Sequence, residues 1–323
     1  MFTKIRKIDS PQHFKQLVSL TDKQLQFKNS CDELLKSNLS ERQKFVAVVG
    51  PCSADDVDSV TMYCKKLKSI ADKVKDKIIV VIRVYTEKPH SNGEGYNGLV
   101  FEGNDGINSG IEQCRILMRN CLEIGLPVAN ELLYPEHYFY FDDLVSYWFV
   151  GARSCEDTII RAIASGADCP VGVKNPTDGN LKKLAQSMFA VSRPKRFMQG
   201  GFEVNTNGNK FCHAVLRGYD DEKNYYNNLD GNSIDELYRQ CNEQGLPAPF
   251  ILADLSHANS GKVAGVQLHN ALKAVSDKRI GGVMCESYLY SGVSEKGCGY
   301  SKTDDCLSIE ATEQMLLSLY DRL

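Results

Sequence analysis

The sequence predicts an α/β fold, a (β/α)8 TIM barrel with an N-terminal helical extension, and three observations predict it. Short apolar runs alternate with segments of helical periodicity eight times along the chain. Runs that stay apolar throughout suit parallel strands buried on both faces, and the alternation supplies the helices that cover them. The length of 323 residues fits one barrel of about 250 residues plus an extension. Finally, each run delivers a polar or chelating residue at or near its carboxyl end, where barrels of this kind build their active sites.

Residues 1–44 precede the first run and carry one amphipathic helix, around 22–39. They read as an extension that packs on the barrel or on a neighbouring subunit, leaving 45–323 as the catalytic barrel. The eight runs are 45–50, 78–85, 127–133, 148–153, 170–175, 212–218, 250–257 and 281–287. Between the first two, Val57, Val60, Cys64, Leu67 and Ala71 recur at helical spacing, as do Ile111, Cys114, Leu117 and Cys121 after the second. A last helix, around 305–323, closes the barrel with Leu307, Met315, Leu316 and Leu319. No linker, repeat or low-complexity stretch announces a second domain.

Hydrophobic residues at 42% and charged residues at 24% are ordinary for a soluble globular chain. Lys+Arg 38 against Asp+Glu 41 leave a formal charge of −3, which excludes a bulk basic footprint for nucleic acid. Any anion site is therefore a local gathering of Arg and Lys. No stretch approaches 18 consecutive apolar residues, so no membrane partner is expected, and no apolar segment follows the first seven residues as in a signal peptide. The twelve cysteines contain no Cys-x-x-Cys pair, which removes zinc-ribbon and thioredoxin-like readings. Most lie in apolar runs, where Cys acts as a small hydrophobe, and a reducing cytoplasm is the expected compartment.

The runs end in, or close to, Cys52, Arg83, Glu131, Arg153, Lys174, Arg217, His257 and Glu286. Arg83, Arg153, Lys174 and Arg217 are four cations brought to one mouth of a near-neutral protein. Guanidinium forks match carboxylate and phosphate oxygens in pairs, so the ligand carries several negative charges. Cys52, His257, Glu286 and, beyond the last run, Asp304 offer one sulfur, one nitrogen and two carboxylates. That mixture suits a divalent transition metal rather than magnesium or calcium. Each residue alone has a plainer reading. Cys52 fits a small core residue, His257 a hydrogen-bonded core histidine, Glu286 or Asp304 a helix cap or solvated charge, and Arg153 a partner for Glu156 or Asp157. One shared site accounts for all of them together at a single rim.

These residues sit in recognisable motifs. Gly50-Pro51-Cys52-Ser53, Arg83-Val84-Tyr85 with Glu87-Lys88-Pro89, Gly151-Ala152-Arg153, Val171-Gly172-Val173-Lys174-Asn175 and Thr177-Asp178-Gly179 resemble those of type I 3-deoxy-D-arabino-heptulosonate 7-phosphate (DAHP) synthases. His213 through Leu216-Arg217-Gly218, Ser256-His257-Ala258-Asn259-Ser260, Gly282-Val283-Met284-Cys285-Glu286-Ser287 and Thr303-Asp304 continue the resemblance in order. The resemblance implies a metal-dependent, C–C bond-forming transferase. Its expected reaction joins phosphoenolpyruvate to an aldose phosphate, erythrose 4-phosphate, giving DAHP and phosphate. It further implies a divalent metal (Mn, Fe, Co or Zn) held by Cys52, His257, Glu286 and Asp304. Arg83, Arg153, Lys174 and Arg217 hold phosphoenolpyruvate in this casting, with the backbone around Ala152 at its phosphate. Lys88 lies between the substrates near the metal as proton donor, Glu131 positions a water, and Asp304 belongs to the catalytic group. A homodimer or homotetramer is implied as well.

The departures gather on the acceptor side. The family's Lys-Pro-Arg-Thr reads Lys88-Pro89-His90-Ser91, which replaces a fixed charge by an imidazole that is largely neutral near pH 7. His90 and Ser91 are expected to meet the acceptor phosphate. Gly-Trp-Lys-Gly reads Gly95-Tyr96-Asn97-Gly98, so a second cation is missing from the same loop. The acidic loop that follows is shortened to Phe101-Glu102-Gly103-Asn104-Asp105-Gly106, and Pro176 stands where the family has glycine. Two alternatives follow: the same phosphoenolpyruvate chemistry with a different aldehyde in a specialised pathway, or a non-catalytic regulatory or assembly paralogue. Loss of a metal ligand or donor cation would support the second, and none is lost.

Overall fold

Eight parallel strands close on themselves in the computed structural model, which describes residues 1–88 and 95–323. The barrel strands are β1 (Phe45–Gly50), β2 (Ile78–Arg83), β3 (Val128–Glu131), β4 (Val145–Val150) and β5 (Val171–Lys174). Two hairpin strands follow, β6 (Arg196–Gln199) and β7 (Phe202–Asn205), before the barrel resumes with β8 (Cys212–Leu216). A second, smaller hairpin, β9 (Tyr219–Asp220) and β10 (Tyr225–Tyr226), precedes the closing barrel strands β11 (Ile251–Asp254) and β12 (Ile280–Glu286). β12 pairs with β1, which completes the ring.

The helices are α1 (Pro11–Leu17), α2 (Asp22–Glu41), α3 (Val57–Val74), α4 (Ile107–Ile124) and α5 (Tyr138–Phe141), followed by α6 (Thr158–Gly166), α7 (Leu181–Val191), α8 (Gly231–Glu243), α9 (Val266–Ser276) and α10 (Ile309–Arg322). Their apolar faces and the outer strand residues form one continuous core, for example Val60, Cys64 and Leu67 of α3 with Ile111, Cys114 and Leu117 of α4. Inside the ring a second cluster holds Val46, Val48, Ile79, Val81, Tyr147, Phe149, Phe250 and Leu252. Alternation along each strand separates the two layers, because successive side chains face opposite sides of the sheet.

The N-terminal segment differs from the single helix read from sequence: it holds two. Ser10 caps α1, and Thr21 with Gln24 forms a reciprocal capping box at the start of α2. Leu35 of α2 joins the lumen cluster with Leu39 packed beside it, so this helix plugs the amino-terminal end of the barrel. The buried Arg115 ties the segment down by donating to the Val18 and Tyr140 carbonyls while pairing with Asp143.

β4 begins three residues before the run read from sequence, because Ser146 interrupts an apolar stretch that is nonetheless buried. The β6–β7 hairpin was not anticipated at all. Its turn carries Gly200 and Gly201 at φ of 58° and 81°, a Gly-Gly signal that marks a two-residue hairpin loop. The last helix starts at Ile309 rather than 305, since the residues before it return to the barrel mouth. Tyr288 N–H donates to the Leu307 carbonyl at 2.8 Å, and Leu307 N–H donates to the Glu286 carbonyl at 3.0 Å. That return places Asp304 above the end of β12.

Candidate active site

A cavity of about 470 Å³ opens at the carboxyl ends of the strands. Arg83, Lys88, Glu131, Ala152, Arg153, Lys174, Arg217, His257 and Asp304 all line it. Cys52 and Glu286 are fully buried at its floor. One end of the ring therefore gathers the sequence-nominated residues, apart from His90 and Ser91, which lie outside the described residues.

The floor is a cluster of potential metal donors. Ligand atoms of Cys52, Glu286 and Asp304 lie within 4.8 Å of one another. Cys52 Sγ and Asp304 Oδ2 are 3.3 Å apart. The Lys88 ammonium joins them, 2.6 Å from Cys52 Sγ and 2.9 Å from Asp304 Oδ2. His257 stands beside this group without joining it at that spacing; its Nε2 is 3.7 Å from Glu286 Oε1. It sits at φ 53°, a left-handed conformation uncommon outside glycine, at the head of a 3-10 turn. Asp254, last residue of β11, fixes the ring through Nδ1 at 3.0 Å. A carboxylate behind an imidazole is the usual way a ligand histidine is oriented, with Nε2 left to face the ion. Thiolate, imidazole and two carboxylates fit a divalent transition metal.

Strand neighbours explain the convergence. Cys52 follows β1, and Glu286 ends β12, with Gly50 and Glu286 in register. Gly50 cannot carry a side chain, since a Cβ there would lie 2.3 Å from the Arg83 carbonyl oxygen. Glu286 is braced from three sides. Ser256 donates its hydroxyl to Oε2 at 2.7 Å, Arg83 Nη2 donates to Oε1 at 2.8 Å, and Gln267 bonds both backbone groups. Arg83 also donates to the Cys52 carbonyl at 3.0 Å and lies 3.9 Å over the Tyr85 ring.

The charges are mutually supporting. Burial works against the Glu286 carboxylate, but His257 and Arg83 hold its pKa below the ordinary value. Burial likewise opposes ionisation of Asp304, and Lys88 overrides it in the same direction. Burial also opposes the Lys88 charge, yet Cys52 and Asp304 beside it raise its pKa. Burial, then Glu286, pushes the Cys52 thiol up to about 12. A divalent cation binding at Sγ would displace that proton.

The cavity wall is cationic. Lys174 is paired with Asp254 at 3.0 Å. Arg217 is different: its Nε and Nη1 are buried with no hydrogen-bond partner among the described residues, and its nearest acid, Asp220, is 3.9 Å away. Burial lowers its pKa, and Arg153 nearby adds to the effect. A buried guanidinium left so poorly satisfied costs stability unless an anion meets it. The carboxylate of Glu131 lies over Gly151, where a Cβ would stand 1.9 Å from Oε1. This glycine lets an acid stand beside the Ala152–Arg153 backbone.

Sequence reasoning missed Asp254 and Gln267, which orient the charged groups, and Lys262 and Lys302 on the cavity wall; Tyr85, Ser256, Thr177 and Thr303 stood in its motifs without a role. Asp254 had a usable signal, as a carboxylate ending a buried strand three residues before His257.

Residues 17–316 match the model of the DAHP synthetase I family. The chain is 35% identical over 307 residues to the Phe-sensitive phospho-2-dehydro-3-deoxyheptonate aldolase of Escherichia coli K12, covering 89% of this chain and 85% of that one. It is 32% identical over 315 residues to the tyrosine-inhibited enzyme of the same name from Candida albicans, covering 89% and 82%. The fold superposes on the phospho-2-dehydro-3-deoxyheptonate aldolase of Francisella tularensis SCHU S4 with a TM-score of 0.93 at 26% identity, covering 100% of this chain and 98% of the other. With the barrel, the donor cluster and the cationic wall in place, the chain belongs to the DAHP synthetase I family.

Proposed function

We propose that this protein condenses phosphoenolpyruvate with erythrose 4-phosphate and water, giving DAHP and inorganic phosphate. The observation that carries this reading is the poorly satisfied Arg217 guanidinium opening on the same cavity as the Cys52, Glu286 and Asp304 cluster. An anion with several charges is what the wall lacks, and phosphoenolpyruvate supplies a carboxylate and a phosphate. Arg153, Lys174 and Arg217 hold those groups with the backbone at Ala152, while Arg83 backs Glu286 and lends its charge to the donor. A divalent ion (Mn, Fe, Co or Zn) held by Cys52, His257, Glu286 and Asp304 supplies Lewis acidity at the aldehyde oxygen.

C3 of phosphoenolpyruvate forms the new bond to the aldehyde carbon, and the aldehyde oxygen takes a proton from Lys88. Water, oriented by Glu131, adds its oxygen at C2. The C2–O bond to phosphate then breaks, phosphate departs with the electron pair, and the added water loses both its protons as the C2 carbonyl forms, one to the departing phosphate and one back to Lys88. The wall cations hold the released charge as they held the donor. Residues 1–44 serve as an extension to the 45–323 catalytic barrel in a cytoplasmic homodimer or homotetramer.

The test is phosphate release from phosphoenolpyruvate by metal-loaded protein across a panel of aldehydes. Erythrose 4-phosphate is expected to give the highest kcat/KM. No release with any aldehyde would favour the non-catalytic reading, and a preference for another aldehyde would replace the acceptor.

A further inference from the structure

The cations of the cavity outnumber the acids available to them, and those not tightly paired fall into two groups. Arg83 is spent on Glu286, Lys174 on Asp254, and Lys88 on Asp304 and Cys52. Arg153 lies close enough for Arg217 to feel its charge, both line the cavity, and they form the inner group. Lys262 and Lys302 remain, delivered by the segments after β11 and β12. Lys262 Nζ is 4.0 Å from Asp304 Oδ1, half-exposed and loosely held. Lys302 makes no ion pair among the described residues; Asp55 senses its charge from a greater distance. Its ammonium lies 4.8 Å from the centre of the Tyr96 ring, a contact that steadies the side chain while leaving its N–H donors free to meet an anion. Tyr96 is itself fixed, since its hydroxyl donates to the Ala54 carbonyl at 2.7 Å.

We propose that Lys302, steadied on Tyr96 and assisted by Lys262, binds the phosphate of the aldehyde acceptor and sets the preference for a phosphorylated one. This rests on the condensation proposed above, in which two phosphate-bearing substrates meet in one cavity. The inner group takes the donor. Lys88 and Asp304, 2.9 Å apart, mark the aldehyde end in this reading; Lys262 stands 4.0 Å from Asp304, and Lys302, two residues before Asp304, lines the same cavity. Lys302 thus supplies a charge from the last loop, facing the loop on which Asn97 offers none.

The experiment compares wild type, K302M, K302R and Y96L, all metal-loaded, with erythrose 4-phosphate and with erythrose as acceptors. K302M is expected to raise KM for erythrose 4-phosphate by about tenfold or more, as expected for losing a charge-assisted contact. It should shrink the kcat/KM preference for erythrose 4-phosphate over erythrose by a similar factor. KM for phosphoenolpyruvate, which also reports that the variant is folded, should move less than about twofold. K302R should recover most of the loss, and Y96L should shift KM in the same direction by less. An unchanged KM for erythrose 4-phosphate in K302M, or an equal rise for both substrates, overturns the assignment. Wild-type protein that turns over no erythrose 4-phosphate overturns the proposed condensation first and this assignment with it.

Discussion

At the amino-terminal end of the barrel lumen, His213 is enclosed by the Tyr147 and Phe250 rings, with Nδ1 on the Phe211 carbonyl and Nε2 on the Tyr147 hydroxyl. At the carboxyl end, Arg217 is buried nearly as deeply, yet two of its nitrogens find no hydrogen-bond partner among the described residues. His213 lies near the start of β8 and Arg217 directly follows its last residue, but only the histidine has all its ring nitrogens paired. Depth alone therefore does not mark function. His213, with both ring nitrogens satisfied, belongs to the architecture, whereas Arg217 combines incomplete hydrogen bonding with a place on the cavity wall, and the two together point to a ligand.

The largest break in this comparison is expected at the donor cluster. Replacing Cys52 by Ser or Asp304 by Asn should lower kcat by roughly a thousandfold or more and strip divalent metal from purified protein. Metal analysis beside steady-state rates checks this, as does reversible loss of activity on chelation. Full activity in a metal-free variant would remove these residues from the metal centre.

Arg217→Met sharpens the contrast most directly. It should cut kcat/KM for phosphoenolpyruvate by about 10²–10³. It should also raise the melting temperature by a few degrees, because a poorly satisfied buried charge gives way to an apolar side chain. A fall in melting temperature would show that the guanidinium is structural after all.

The smallest effect concerns pH at the opposite end. Burial pushes the pKa of His213 down to about 4 from its ordinary 6.5. The native imidazole stays neutral while the unfolded one takes a proton, so stability is lost as pH falls from about 6.5 toward about 4 and is unaffected above. Between pH 7 and pH 5 the loss is about 2 kcal/mol. Urea unfolding of wild type and His213→Gln at the two pH values isolates it. An equal loss in both proteins would mean that other groups carry the pH dependence.

Much of this was legible in the chain. β1 was read in full because all six of its residues are apolar or glycine and buried. The rim residues were legible because a charge at the end of such a run has few structural excuses. Pairing was not. Nothing in Arg83 or Glu286 announces that each is spent on the other, because β2 and β12 become close only through their shared neighbour β1. Lys302 looks like any loop lysine until Tyr96 is seen beneath it. Ser146 hid the start of β4, and the exposed hairpin strands carry no apolar run to be found.

The ring closes where β1 meets β12, and Cys52 and Asp304, 252 residues apart in sequence, face each other across that seam. An ion held by both would act as a clasp on the first and last strands. Clasping so long a loop restricts the unfolded chain more than a local cross-link would. Such a clasp would form only once β1 and β12 are paired, so metal binding would report closure of the ring. Release of such an ion would free that seam, tying retention of activity to the place where the barrel's first and last strands meet.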